Sequence, residues 1–102
     1  MRFLPLATLL ILLLWIFAAD AGQTQSSAEA LFSSTSLGSN GKSCATCHPQ
    51  GKGLENIGDY DDEILQEMVN FCIRDALKGE MLAEKSEELR RLASYLRQFQ
   101  KK

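Results

Sequence analysis

The sequence is short and has no excess of positive charge, and these two shortages exclude several classes of protein. A chain of 102 residues is too small for more than one ordinary domain. Its 11 Lys and Arg against 13 Asp and Glu give a net charge of −2. Nucleic-acid binding normally requires a basic surface, so we expect no nucleic-acid partner. A domain this small also needs disulfides, a metal or a cofactor to support its core.

Strand-like alternation and internal repeats are absent, and helical periodicity takes their place. We therefore predict an all-α fold with three main helices. The first helix begins with a capping box from Ser26 to Glu29 and carries Leu31 and Phe32 on its apolar face. The third helix begins at a Ser86 cap. The second helix opens with Asp61, Asp62 and Glu63 and ends at Gly79, and its predicted buried face contains Ile64, Leu65, Met68, Val69, Cys72, Ile73, Ala76 and Leu77.

The N-terminus contains an uncharged apolar run over residues 3–19. Arg2 precedes this run, and Ala19-Asp20-Ala21 follows it with small residues at the spacing of a cleavage site. We predict a signal peptide over residues 1–21, a flexible leader over residues 22–27 and a single domain over residues 28–102. The alternative is an uncleaved membrane anchor over residues 3–19. That run is short for a membrane span, and Pro5 interrupts it.

The motif that predicts chemistry is Cys44-Ala45-Thr46-Cys47-His48. C-x-x-C-H is the attachment signature of c-type haem: two cysteines one helical turn apart form thioethers, and the adjacent histidine binds the iron. We considered three other interpretations. A Cys44–Cys47 disulfide would leave the helices without a core, and a thioredoxin-like site requires a βαβ unit. A zinc site that adds Cys72 would need the adjacent Cys47 and His48 to bind one tetrahedral ion, so we expect haem c and no zinc.

The arrangement resembles a small monohaem cytochrome c of the class I fold, in which three main helices enclose one covalently bound haem. The resemblance covers about residues 26–100. It implies that the first and last helices cross beside the haem, and that Cys44, Cys47 and His48 hold it. One feature departs from the family. Class I cytochromes have a Gly-Pro pair after the motif that supports the proximal histidine, whereas here Pro49 directly follows His48. A carbonyl within residues 50–58 must therefore accept the hydrogen bond from the imidazole.

Two kinds of sulfur ligand compete for the distal position on the iron, a methionine (Met68 or Met81) and Cys72. Met81 precedes the last helix, which resembles the place of the methionine ligand in small class I cytochromes. Met68 and Cys72 lie four residues apart on the second helix, where core packing would also explain them. The stretch from Asn70 to Leu82 is similar to the His/Cys-ligated cytochromes of thiosulfate oxidation, in which a cysteine seven residues before a glycine is the distal ligand. That resemblance favours Cys72 slightly over Met81.

These features together predict a periplasmic cytochrome that carries single electrons between larger redox proteins, and an electron carrier rather than an enzyme. The alternatives are a subunit or enzyme of thiosulfate oxidation and a haem-based sensor. Residues 55–67 contain six acids and no base, while residues 85–102 contain six bases and two acids. Helix-dipole matching and a solvated helix face explain this pattern. Transient electrostatic docking on redox partners is the functional alternative.

Overall fold

Helices make up most of the part of the chain that this computed structural model describes, residues 20–102. The α-helices are α1 (Asp20–Ser33), α2 (Cys44–Cys47), α3 (Asp62–Phe71) and α4 (Glu87–Leu96). A π-helical turn over Cys72–Ala76 continues α3, and short 3-10 turns cover Pro49–Gly51, Ile57–Asp59 and Arg97–Phe99. No β-strand occurs between residues 20 and 102, so the all-α prediction is confirmed.

The helix α1 begins earlier than the sequence predicts. It starts at Asp20, so the prediction of a helix start at Ser26 is wrong and residues 22–27 are helical. No proline interrupts this segment, and a helix held by the packing of Ala28 and Phe32 extends through Gln and Ser at little cost. The predicted apolar run over residues 3–19, as signal peptide or anchor, lies outside the described residues. Between residues 20 and 102, no helix is long and apolar enough to span a bilayer.

Side-chain caps set the starts of the other helices. The Asp61 carboxylate accepts the Ile64 N–H at 2.8 Å and begins α3, and the Ser86 hydroxyl accepts the Leu89 N–H at 3.3 Å and begins α4. The predicted cap at Ser86 is confirmed. The helical segment ends at Ala76, so the predicted stop at Gly79 is placed too late. Lys78 takes the left-handed conformation, with φ of 56°.

Gly79 is needed for a different reason, a close crossing of two backbone segments. A methyl group at Gly79 would overlap the Leu37 carbonyl, and one at Gly38 would overlap the Leu77 carbonyl. At this crossing, the Ser39 N–H donates to the Leu77 carbonyl at 2.9 Å. Two side chains bind neighbouring carbonyls, Ser39 Oγ at Lys78 and Asn40 Nδ2 at Ala76. The loop after α1 therefore supplies the hydrogen bonds that the end of the π-helical turn lacks.

The core lies where α1, α3 and α4 meet. Phe32 on α1 packs against Tyr95 and Phe99, with ring centroids 5.5 and 5.6 Å apart. The other buried apolar residues come mainly from two helical stripes: Leu65, Val69, Ile73 and Leu77 after Asp61, and Leu89, Leu92, Ala93 and Leu96 in α4. The prediction of one buried face on the second helix is wrong for Ile64, Met68, Cys72 and Ala76, which the rest of the described chain leaves uncovered.

Arg97 joins the end of α4 to the segment before α3. Its guanidinium donates to the carbonyls of Ile57 and Tyr60 at 3.0 and 2.8 Å, and to the Asp62 carboxylate at 2.7 Å. Because Asp62 is largely exposed, the ion pair adds little stability. The two carbonyl bonds hold the segment that carries Ile57, a residue of the core.

Candidate functional site

The Cys-His motif occupies one capped helical turn. Ser43 is buried at its start, and its hydroxyl and the Thr46 side chain each accept the other residue's backbone N–H. Cys44 and Cys47 are the first and last residues of α2, and the His48 N–H donates to the Cys44 carbonyl at 2.9 Å. This reciprocal capping supports a four-residue helix that has too few internal hydrogen bonds to be stable alone.

The imidazole of His48 has a fixed orientation. Its Nδ1 lies 2.8 Å from the Lys52 carbonyl, which can only accept, so Nδ1 carries the hydrogen. Gly53, with φ of 92°, lies against the ring, and a Cβ there would be 3.2 Å from Nδ1. The prediction that a carbonyl within residues 50–58 supports the histidine is confirmed. Nε2 is left with its lone pair free to bind a metal.

An apolar cleft of about 110 Å³, open on one side, adjoins the motif. Its walls come from all three main helices and from the segment between the motif and α3. Residues that line it are Phe32, Ser43, Cys44, Cys47, His48, Leu54, Ile57, Leu65, Met68, Val69, Cys72, Ala76, Leu77, Leu92 and Leu96. No charged side chain is among them. The lining of the cleft therefore suits an apolar group beside His48.

All three cysteines of the chain line this cleft, and none is in a disulfide. Burial raises the pKa of the Cys44 thiol, and the nearby Cys72 raises it further. Partial removal of water from the Cys72 sulfur at the cleft wall also raises its pKa, although the residue stays exposed, and Asp75 and Cys47 make smaller contributions. These electrostatic effects indicate that the thiols share one low-polarity site. Among residues 20–102, however, no three His, Cys, Asp or Glu side chains converge to hold a bare metal ion, so the Cys₃His arrangement is not formed.

The two predicted distal residues lie in different places. Cys72 lines the cleft with His48, as does Met68 one turn before it. Met81 does not line the cleft, and 47% of its surface is exposed. The side chain of Asn70 holds the neighbouring Leu82 by two backbone hydrogen bonds, of 3.0 and 2.8 Å. The structure brings Cys72 to the cleft and leaves Met81 outside it.

Three features of the site are missing from the sequence prediction. The π-helical turn that begins at Cys72 has no sequence signal that we recognise, although such turns are frequent at functional sites. Gly53 is one of three glycines close to the motif, and nothing distinguishes the one that contacts His48. Arg97 lies 40 residues from the Ile57 carbonyl that it binds.

Comparisons with protein-family models, with curated proteins and with solved structures find no match to this chain.

Proposed function

We propose that this protein is an exported monohaem c-type cytochrome that carries single electrons between larger redox proteins. The observation that carries the proposal is the position of His48 in the wall of the apolar cleft, with Nδ1 bound to the Lys52 carbonyl. A proximal ligand needs this arrangement, because the hydrogen bond on one ring nitrogen fixes the tautomer and orients the other nitrogen. Cys44 and Cys47 would provide the two thioether attachments from a single helical turn.

Exposed residues along one side of the second helix support the same proposal. Met68, Cys72 and Ala76 are weakly polar or apolar, yet no segment between residues 20 and 102 covers them, and all three line the cleft. An uncovered apolar surface of this kind marks a binding groove. Leu92 and Leu96 form the part of the wall that α4 contributes. Their role would be to exclude water from the bound group, which tunes its reduction potential.

A haem held in this cleft supplies reversible one-electron chemistry at its iron. His48 would bind the iron on one side. We propose Cys72 for the other side, because it lines the cleft and Met81 does not. A thiolate would carry negative charge toward the iron and favour its oxidised state, so we expect a low reduction potential.

Covalent attachment tests the proposal directly. The full chain is produced in a host with a cytochrome c maturation system, and haem is followed by acid-acetone extraction and by haem staining of a denaturing gel. We expect haem that resists extraction in the wild type and in Cys72→Ser, and no covalent haem in Cys44→Ser/Cys47→Ser. Cys72→Ser is the matched control because it removes a thiol from the same cleft. A colourless wild-type product that contains zinc would contradict the proposal.

A second candidate function is that of a subunit in thiosulfate oxidation. The position of Cys72 in the cleft favours it, because a cysteine in the corresponding place is the distal ligand in the cytochromes that this region resembles. Thiosulfate turnover with an artificial electron acceptor separates the two. Turnover that is lost in Cys72→Ser would support this candidate, whereas an inactive but reversibly reducible protein would support the electron carrier.

A further inference from the structure

The exposed side of α3 has an apolar surface that no described segment covers. We define the α3 shelf as Ile64, Met68 and Phe71, whose exposed fractions are 44%, 39% and 46%. These residues are three or four positions apart and therefore lie on one side of the helix. Met68 also lines the cleft, so the shelf continues directly into the cleft wall. An uncovered apolar patch that adjoins a cleft is typical of an interaction surface.

Acidic residues border the shelf, and they differ from the acids that have structural roles. Asp61 caps α3, and Asp62 pairs with Arg97. Glu63 and Glu67 lie one turn apart on the helix surface and form no ion pair with any residue in the described part of the chain. At helical spacing, Glu67 neighbours both Ile64 and Phe71 of the shelf. Between residues 20 and 102, neither Glu63 nor Glu67 caps a helix or pairs with a base, and helix-dipole matching accounts only for Glu63, which lies in the first turn of α3.

One basic residue also contacts the shelf, but its charge is balanced. The Arg74 guanidinium lies 5.0 Å from the centre of the Phe71 ring. It forms an ion pair with Asp75 at 2.7 Å, and each group lowers the energy of the other's charged form, which depresses the pKa of Asp75 and raises that of Arg74. The border of the shelf is therefore net negative. Its chemistry is an apolar centre with the carboxylates of Glu63 and Glu67 beside it.

We infer that the α3 shelf is the docking surface for a redox protein whose own contact surface has an apolar centre bordered by Lys and Arg. This inference rests on the proposed function, because docking at the shelf is useful only if the adjoining cleft holds the electron-carrying group. An apolar centre excludes water, and complementary charges at the border steer encounter and set orientation. Glu63 and Glu67 supply the steering, and Ile64 and Phe71 supply the apolar contact.

A small oxidant that is both apolar and positively charged tests the inference. Tris(phenanthroline)cobalt(III) is a cation with apolar ligands, and hexacyanoferrate(III) is a hydrophilic anion. In each reaction one electron leaves the reduced haem protein and reduces one metal complex, cobalt(III) to cobalt(II) or iron(III) to iron(II). Stopped-flow absorbance gives the second-order rate constant at several ionic strengths. The reduction potential of each variant is measured as well, so that changes in driving force can be separated from changes in encounter.

The decisive variants differ in the place of the charge and not in its amount. Glu63→Gln/Glu67→Gln removes two charges from the border of the shelf, and Glu84→Gln/Glu88→Gln removes two charges near the start of α4 that likewise have no ion-pair partner between residues 20 and 102. We expect the first pair to lower the rate constant for the cobalt complex about threefold to tenfold at low ionic strength and to weaken its salt dependence. The second pair should change it little. With hexacyanoferrate, the first pair should raise the rate constant.

The apolar part of the shelf has its own test. Ile64→Ser should lower the rate constant for the cobalt complex and leave that for hexacyanoferrate nearly unchanged, while Tyr60→Ser, outside the shelf, is the control. Equal effects of the two charge pairs on a haem-loaded, reversibly reducible protein would overturn the docking surface and leave the proposed function intact. A wild-type protein without covalent haem would overturn both.

Discussion

At the scale of single residues, the described structure explains how a lone histidine becomes a suitable metal ligand. The Lys52 carbonyl accepts from His48 Nδ1, and Gly53 allows the backbone to pass close to the ring. The motif itself predicts only that the histidine binds. Which carbonyl supports it depends on the turn after Pro49, where Gln50 and Gly51 both have positive φ. A glutamine gives no sequence signal for that conformation. The sequence therefore limits the supporting carbonyl to residues 50–58 but does not identify Lys52.

Gly53→Ala tests the contact with the histidine. The left-handed backbone costs an alanine about 1–2 kcal/mol, and the new methyl group would also press on the imidazole. Gly41 has a similar φ, 77°, and a methyl group there would meet no atom within 4 Å, so Gly41→Ala carries the backbone cost alone. We expect a larger loss of unfolding free energy for Gly53→Ala, by about 1 kcal/mol, in urea titrations of the holoprotein. Equal losses would mean that Gly53 does not support His48.

The distal ligand is tested by a second pair of variants. Cys72→Ala should abolish the low-spin spectrum of the oxidised protein, because it removes the proposed sulfur ligand from the cleft, whereas Met81→Ala should leave the spectrum nearly unchanged. Absorption and electron paramagnetic resonance spectra measure the effect. The near-infrared band typical of methionine ligation should be absent from the wild type. The opposite pattern would indicate an ordinary His/Met carrier and would remove the evidence for a relation to thiosulfate oxidation. If both variants keep the spectrum, Met68 and Asn70 become the next residues to test.

At the scale of elements, the capping rule is correct for the start of α4 and wrong for the start of α1, and the periodicity rule fails where two segments meet. Ser86 caps α4 because a hydroxyl before a helical run is sufficient. The apolar pattern of the second helix combines two rows. All four residues line the cleft, but other helices bury Leu65 and Val69, whereas Met68 and Cys72 stay exposed. Periodicity alone cannot distinguish an apolar residue that other helices bury from one that stays exposed at a cleft.

The close crossing of the loop after α1 and the π-helical turn also depends on how two segments pack. Gly38→Ala would place a methyl group onto the Leu77 backbone, which has no flexible end to move aside. We expect it to lower the unfolding free energy by about 1–3 kcal/mol or more. Gly58→Ala is the control, because its methyl group would meet only the Gln100 side chain at an ordinary 3.7 Å, and its effect should be within about 0.5 kcal/mol. Similar midpoints for the two variants in thermal unfolding would show that the loop can separate from the turn.

At the scale of the whole molecule, the all-α class could be predicted from periodicity, and the packing of α1 against α4 was implied by the resemblance to class I cytochromes. The cleft could not, because its walls come from residues as far apart as Phe32 and Leu96. The same is true of the shelf. Residues 55–67 are acidic in the sequence, but only the folded chain separates the acids with structural partners from Glu63 and Glu67.

A cleft that is lined by core residues of a domain this small should make folding depend on what fills it. The core residues Leu65, Leu92 and Leu96 each contribute to its wall, so an empty cleft leaves the three main helices packed on one side only. In Cys44→Ser/Cys47→Ser, which has no thioethers, haem can be removed with acid-acetone. We expect this haem-free protein to lose helicity by circular dichroism and to unfold without a cooperative transition, because small domains need such a support.

Cys72→Ser is again the control, because it keeps both attachments and should unfold cooperatively with most of its helicity retained. This substitution replaces one sulfur atom by oxygen at the cleft wall. Its effect on the unfolding free energy should therefore be small compared with that of losing the haem. A haem-free protein that unfolds cooperatively at the wild-type midpoint would show that the helices pack without an occupant. The exposed apolar residues Met68, Cys72 and Ala76 would then need another explanation. The expectation that folding depends on what fills the cleft would be wrong.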